Sequence, residues 1–312
     1  MTMLSKVAER VYWTARYLER AENTARLIQV YDNLLFDLPR NVDLSWYNLI
    51  TLNSQQIDFE DRYKVHDERN VIKFLVGDES NPSSIVSSLA LIRENVRTTR
   101  DVVPEETWEL TNELSLYVQE NLQQGINRSK RHQFLDGVVK GCQQILGLLY
   151  GTMPHDAAWY FLRLGRNLER ADMTTRIVDA GVAAVLSLEE DDTVVNSRQI
   201  IWGNVLRSAG ADQSYRRTVR TSVKGEAVLN YLLEDPAFPR SIHHCLAAIA
   251  DSAAKLPRSR PVVTSLQELQ ATVFEDVNYD ELGMPLRDYL NELQLKLATI
   301  HSIIANRWFP TI

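Results

Sequence analysis

Cysteine is nearly missing: Cys142 and Cys245 are the only two in 312 residues, far apart and both on apolar-patterned segments. A disulfide framework is not expected, and two buried thiols in a cytoplasmic protein are the simplest reading. Neither looks like a nucleophile on such a face. Long apolar runs are missing as well, since none approaches the ~20 residues that a membrane-spanning helix needs. Met1 to Glu9 has no long apolar core behind a basic start, so no secretory signal is expected. Positive charge is in deficit: 34 Lys and Arg against 41 Asp and Glu leave a net charge of -7. That balance argues against nucleic-acid binding, which needs a basic face to release counterions. The basic runs Arg93 to Arg100, Arg128 to His132 and Arg216 to Arg220 alternate with polar or apolar residues and read as helix faces or loops.

Catalytic signatures are also missing. The chain holds no Gly-rich phosphate loop, no Cys-x-x-Cys, no His-Glu-x-x-His, no Glu-x-x-His and no Gly-x-Ser-x-Gly. The six histidines are scattered; His243 and His244 are adjacent and would point about 100° apart on a helix, a poor geometry for chelating one ion. His155-Asp156 reads as a helix start, with Asp156 favouring the helix dipole. The acidic stretch Leu188 to Asp192 reads as a solvated loop rather than a metal site. No metal and no cofactor are expected.

Strand signals are nearly absent, with no sustained alternation and no Asn-Gly hairpin turn. Helical periodicity is widespread, in Leu4 to Leu35, Ser83 to Arg100, Glu106 to Glu120, Phe134 to Tyr150, His155 to Leu186, Leu229 to Leu233, Ser241 to Lys255 and Pro285 to Asn306. The chain also repeats itself. Arg16-Tyr17-Leu18-Glu19-Arg20-Ala21-Glu22-Asn23-Thr24-Ala25-Arg26 recurs 150 positions later as Arg166-Asn167-Leu168-Glu169-Arg170-Ala171-Asp172-Met173-Thr174-Thr175-Arg176, identical at seven of eleven positions. Weaker matches follow. Trp46 to Ile50 matches Trp202 to Leu206, and Pro82-Ser83-Ser84-Ile85 matches Pro239-Arg240-Ser241-Ile242. Phe134-Leu135 and Tyr289-Leu290 open the last long helix of each half. Repeats of ~155 residues are too long for solenoid units. The expectation is an all-α, internally duplicated helical bundle with pseudo-twofold related halves, 1–153 and 154–312, forming one compact unit.

At 100° per residue, Val11, Thr14, Leu18, Ala21, Ala25 and Ile28 share one stripe of the first repeated helix, with small members that allow close approach. Arg16, Glu19, Arg20, Asn23 and Arg26 lie opposite. Tyr12, Leu27 and Val30 sit on the same polar arc, as Leu162, Ile177 and Ala180 do in the second copy. A charged stripe flanked by apolar residues in both copies reads as at least partly buried, and buried charges must be paired. Such a cluster can fix helix register, or its arginine forks can grip a carboxylate or phosphate bidentately. The candidate residues are Arg16, Glu19, Arg20, Glu22, Asn23 and Arg26 with Arg166, Glu169, Arg170, Asp172 and Arg176. Arg93, Glu94 and Arg97 repeat the flavour on another helix. Its counterpart near Ala250-Asp251 lacks the arginines, so a ligand site there would be asymmetric.

From Leu4-Ser5-Lys6-Val7-Ala8-Glu9 through Arg26, and again from Phe161-Leu162-Arg163-Leu164-Gly165-Arg166 through Asp172, the chain resembles the bacterial alpha-E family. That all-helical family is named for its Glu-Arg motif. Arg93-Glu94-Asn95-Val96-Arg97 resembles a further family signature, and the likeness covers essentially the whole chain. Thr14-Ala15 departs from the small Leu-Gly pair that Leu164-Gly165 keeps.

Family members are usually encoded beside, or fused to, a circularly permuted ATP-grasp ligase and a transglutaminase-like cysteine peptidase. The resemblance therefore implies a role in forming peptide or amide bonds at the expense of ATP, with no activity implied for the helical domain itself. The expected function is a non-catalytic partner of such a ligase that holds a peptide or acyl substrate. One alternative is an enzyme acting on a carboxylate or phosphate in an Arg/Glu-lined cavity between the halves; another is a pure scaffold.

Overall fold

The computed structural model describes residues 3–37, 44–188, 194–275, 277–279 and 282–310. Among them are fourteen helices and no strand. The first seven are α1 (Ser5–Asp37), α2 (Asn48–Leu52), α3 (Gln56–Glu60), α4 (Glu68–Gly77), α5 (Ile85–Arg97), α6 (Glu106–Ile126) and α7 (Arg128–Thr152). The others are α8 (Ala157–Leu186), α9 (Val194–Ser208), α10 (Asp212–Thr218), α11 (Gly225–Glu234), α12 (Ile242–Ala254), α13 (Arg260–Thr272) and α14 (Met284–Trp308). Lengths run in step: α4 and α11 have 10 residues each, α5 and α12 have 13, and α7 and α14 have 25. No described helix is long and apolar enough to cross a membrane. Glu189 to Asp192 of the acidic stretch lie outside the described residues.

Short polar residues start the helices where spare backbone N–H groups need acceptors. Ser84 accepts from Ser87 N–H at 3.1 Å, and Ser241 accepts from His244 N–H at 3.1 Å. Asp156 takes the N–H groups of Ala158 and Trp159 at 2.9 and 3.3 Å, which makes it the cap of α8. α13 and α14 carry proline in their first turn, where its missing N–H costs nothing. Two expected boundaries need correction: α7 opens at Arg128 and α14 at Met284, not at Phe134 and Tyr289. The basic run Arg128 to His132 is the first turn of α7, with Arg131 only 2% exposed. Arg131 reaches Glu68 at 2.7 Å and lies 3.8 Å from Asp32. Apolar periodicity cannot register a turn that is buried through its charge.

The two longest helices form the axis of the molecule. α1 and α8 run parallel, with residue i of one level with residues near i+150 of the other. Tyr12 lies against Gly165, Arg16 against Glu169, and Leu27 and Leu34 share a hollow with Ile177 and Ala184. α5 and α7 flank α1, and α12 and α14 flank α8. Ion pairs also clamp the flanks, Arg287 of α14 reaching Asp179 of α8 at 2.7 Å. The small stripe read from the sequence is interior: Val11, Leu18, Ala21, Ala25 and Ile28 are at most 1% exposed.

The helices approach closely at Gly165, where an added Cβ would sit 2.2 Å from the Tyr12 carbonyl oxygen. That oxygen is backbone of a packed helix and has nowhere to go. Gly165→Ala should therefore cost about 3 kcal/mol or more by forcing α1 and α8 apart. Gly147 on the exposed side of α7 has nothing within 4 Å of the same construction, so Gly147→Ala should gain up to about 1 kcal/mol from helix propensity. Urea midpoints of the two variants should move in opposite directions from wild type; equal midpoints would refute this reading of the interface.

Candidate functional site

The Glu-Arg dipeptides of the two repeated helices exchange partners across the α1–α8 contact. Glu169 accepts from Arg16 Nε at 2.7 Å and from Arg20 Nε and Nη2 at 2.6 and 3.1 Å. In return, Glu19 pairs with Arg166 Nε at 3.3 Å and Arg170 Nε at 3.0 Å. Each helix thus supplies the carboxylate for the other's two arginines. The 3.6-residue period places Arg16, Glu19 and Arg20 within one turn, so all three meet the partner helix at one level. Glu19 and Glu169 are 0% and 3% exposed.

A further arginine completes one side. Arg240, in the residue pair before α12, bonds Glu19, Asn23 Oδ1 at 2.8 Å and Glu22 Oε1 at 3.1 Å. Glu22 also holds Arg26 at 2.6 Å and Gln143 at 3.2 Å. On the other side Asp172 is held by Arg176 at 2.8 and 3.3 Å, and Arg176 Nη1 continues to Leu52 O and Ser54 Oγ at 3.3 and 2.9 Å. The sequence reading missed Arg240. The signal was available, because Pro239-Arg240-Ser241 stands opposite Pro82-Ser83-Ser84 and an arginine beside a helix cap contrasts with serine.

Arg93, Glu94 and Arg97 do not join this cluster. They line an open groove of about 630 Å³ between α5 and α6, and Arg97 bonds its neighbour Glu94 while both stay more than half exposed. Arg93 donates to Asn112 Oδ1 at 2.7 Å. On α12, Asp251 is engaged by Arg163, and among the described residues no group of three or more His, Cys, Asp or Glu is placed to hold a metal ion.

Charge in the cluster is fixed. Burial alone would raise the Glu19 carboxyl, but Arg170, Arg240 and Arg166 bring it down to about 2. Glu169 ends at about 2 in the same way, with Arg20 and Arg16 outweighing burial. Burial depresses Arg240 below the ordinary guanidinium range, partly offset by Glu19. At the edge, His301 accepts or donates at 2.8 Å with the Tyr12 hydroxyl, and burial together with nearby Arg16 lowers its imidazole to about 4. Cys142 and Cys245 are buried thiols pushed upward by burial, Cys245 to about 12. Neither carboxylate is suited to acid–base work near neutral pH, which wants a pKa near the working value.

A depressed folded-state pKa stabilises above the unfolded value and the benefit disappears as pH falls through the folded one. His301 therefore begins to destabilise the fold below about 6.5 and has finished near 4. Glu19 and Glu169 follow from about 4.5 down to about 2. Thermal melts should show stability falling over both windows on acidification. Glu169→Gln should cost about 3–5 kcal/mol at neutral pH, as breaking a buried pair does, and should flatten the lower window. An unchanged acid profile in that variant would rule out the assignment.

Residues 3–309 match the Alpha-E family, described as a predicted alpha-helical domain with a conserved ER motif; the chain belongs to that family. Of the chain's four Glu-Arg dipeptides, Glu19-Arg20 and Glu169-Arg170 lie in the buried cluster. Among curated proteins it is similar to an uncharacterised protein of Mycobacterium bovis, 22% identical over 329 aligned positions. Two uncharacterised proteins of Mycobacterium tuberculosis strains CDC 1551 and H37Rv are 22% and 21% identical over the same length. Each alignment covers 96% of this chain but 36% of the relative. The chain therefore spans about a third of the length of these relatives. No solved structure matches.

Proposed function

We propose that this chain is a duplicated helical module, its two copies joined through their Glu-Arg motifs, that serves as a non-catalytic partner of an ATP-grasp peptide or amide ligase. The observation that carries the non-catalytic part is the exchange itself. All four motif arginines are spent on the two buried glutamates, and both glutamates are held as carboxylates by arginine. A lock of this kind holds two helices in one register and presents a rigid surface. It leaves the cluster no acid or base with which to turn over an anionic substrate.

The partner half of the proposal rests on two supports. Alpha-E proteins resemble this chain in full, and that resemblance implies an ATP-grasp ligase, and in some cases a transglutaminase-like peptidase, as neighbours. The mycobacterial relatives extend for roughly twice this chain's length beyond the shared region, room enough for a second folded unit in the same polypeptide. In a complex the module would hold the peptide or acyl substrate on its surface or order the ligase around it.

The test is co-purification with the ATP-grasp protein of the same host, followed by ATP turnover with this chain present and absent. A stable complex with altered turnover is expected. Turnover of a substrate by the isolated chain, or a ligase that neither binds it nor responds to it, would overturn the proposal. Arg20→Ala serves as the structural control: it should lower the melting temperature of the isolated chain, since Glu169 loses half of its partners.

A further inference from the structure

The exchange of glutamates is symmetric, but its surroundings are not, and the difference leaves a cavity. Ser83 precedes the cap Ser84 of α5, and Arg240 precedes the cap Ser241 of α12. The turn after α2 contains Ser54 at φ 56°, and the turn after α9 contains Gly210 at φ 63°. Arg176 bonds the first of these turns, while Arg26 lies against the second, 3.7 Å from a Cβ built on Gly210. These positions are thus equivalent in place as well as in sequence order. On the Glu19 side the space is occupied by the Arg240 guanidinium. On the Glu169 side Ser83 is too short to reach, and a cavity of about 110 Å³ remains.

Its walls suit the group that is missing. Arg20 and Arg176 share the lining with Glu169 and Asp172, and Glu169 also holds Arg16 from outside it. The equivalent wall around Arg240 has the same make-up, Arg166, Arg170 and Arg26 against Glu19 and Glu22, and it takes a guanidinium even with arginines in excess. Asn53, Gln55 and Ser83 line the cavity where the other side has Ala209, Ala211 and Arg240. Gln55 is 8% exposed and spends its amide N–H on Asn81 at 2.8 Å, which leaves its carbonyl oxygen unclaimed among the described residues. Carboxylate oxygens each offer two acceptor positions, so Glu169 and Asp172 retain capacity beside their arginines. Asp172, Arg176 and Arg20 keep side-chain exposures of 24%, 20% and 19%, which puts an entrance on their side.

We propose that this cavity is a binding site for a guanidinium group, completing on the Glu169 side the contacts that Arg240 makes on the Glu19 side. Two sources share the chemistry: a small guanidinium compound, or an arginine side chain presented by a peptide. Planar donors matching a carboxylate pair and an amide oxygen favour guanidinium over a compact ammonium.

The full chain can be titrated with methylguanidinium chloride at constant ionic strength and followed by calorimetry or ligand-detected NMR. One saturable site per chain is expected, weakened at least tenfold in S83R, where the chain supplies its own guanidinium as it does at position 240. S83R should also melt higher than wild type. A blocked Gly-Arg-Gly peptide separates the sources: binding of the peptide supports a presented side chain, and exclusion of the peptide with methylguanidinium retained supports a small compound. R240S, if it folds, should gain a second methylguanidinium site and recover stability with it. No saturable binding to wild type, binding undiminished in S83R, or saturable binding of acetate or phosphate in place of methylguanidinium would overturn the proposal.

Discussion

Two parallel helices hold each other by exchanging carboxylates, and the remaining architecture is arranged around that exchange. Desolvating an ion costs several kcal/mol, so a buried glutamate persists only where its partners are fixed in place. Here each carboxylate meets arginines of the other helix at 2.6 to 3.3 Å. Sliding α8 along α1 by one residue would rotate its charges by about 100° away from their partners and leave charges unpaired in the interior. Close contact at Gly165 pulls the same way, since the backbones must approach for short arginine forks to span the gap. Specificity of register is a better account of this cluster than raw stability, because well-packed apolar residues in its place would stabilise as well or better.

The flanking helices then have a defined role. α5 and α7 pack against α1, α12 and α14 pack against α8, and Gln143 of α7 and Arg240 before α12 reach into the cluster itself. Low dielectric strengthens each ion pair and penalises any unpaired one. Arginine stacking at the margin extends the effect: Arg16 lies 4.8 Å over Trp13 and Arg166 lies 4.5 Å over Tyr150. Aromatic residues of α1 and α7 thus act as lids for guanidinium groups as well as core.

Much of this was legible in the sequence, and the legible part follows a rule. Apolar periodicity marked α1, α8, α5 and α12 because those helices bury apolar stripes. The repeated Arg-x-Leu-Glu-Arg-Ala marked the central pair, and the apolar flanks of its polar arc pointed to burial. Short or polar helices such as α2, α3, α10 and α13 were missed because they bury few residues each, but α4 and α9 were missed although they bury five and eight. The first turn of α7 was missed because its buried member is Arg131, which a hydrophobicity pattern counts as surface. Arg240 was missed for a related reason. Its partners Glu19, Glu22 and Asn23 lie more than 200 residues away, so no local pattern contains them, and only comparison of Ser83 with its opposite number could have raised the question. Exposure of Arg93, Glu94 and Arg97 likewise depends on which helices cover α5, which its own sequence does not state.

Reciprocity also limits what the molecule can do. A proton relay needs a group that changes charge near working pH, and both central carboxylates lie far below it. An anion clamp needs arginines whose charge is not already paired, and each of the four motif arginines has a glutamate partner. What remains responsive is the rim, where Arg20, Arg166 and Arg176 keep 17 to 20% of their side-chain surface. A partner that touches this rim can act on the register of α1 and α8 only by competing for partners the buried glutamates already hold, at a cost of several kcal/mol per broken pair. Binding at the rim should therefore leave the helices where they are and use them as a fixed frame. That behaviour suits a module whose work is to hold other molecules in position.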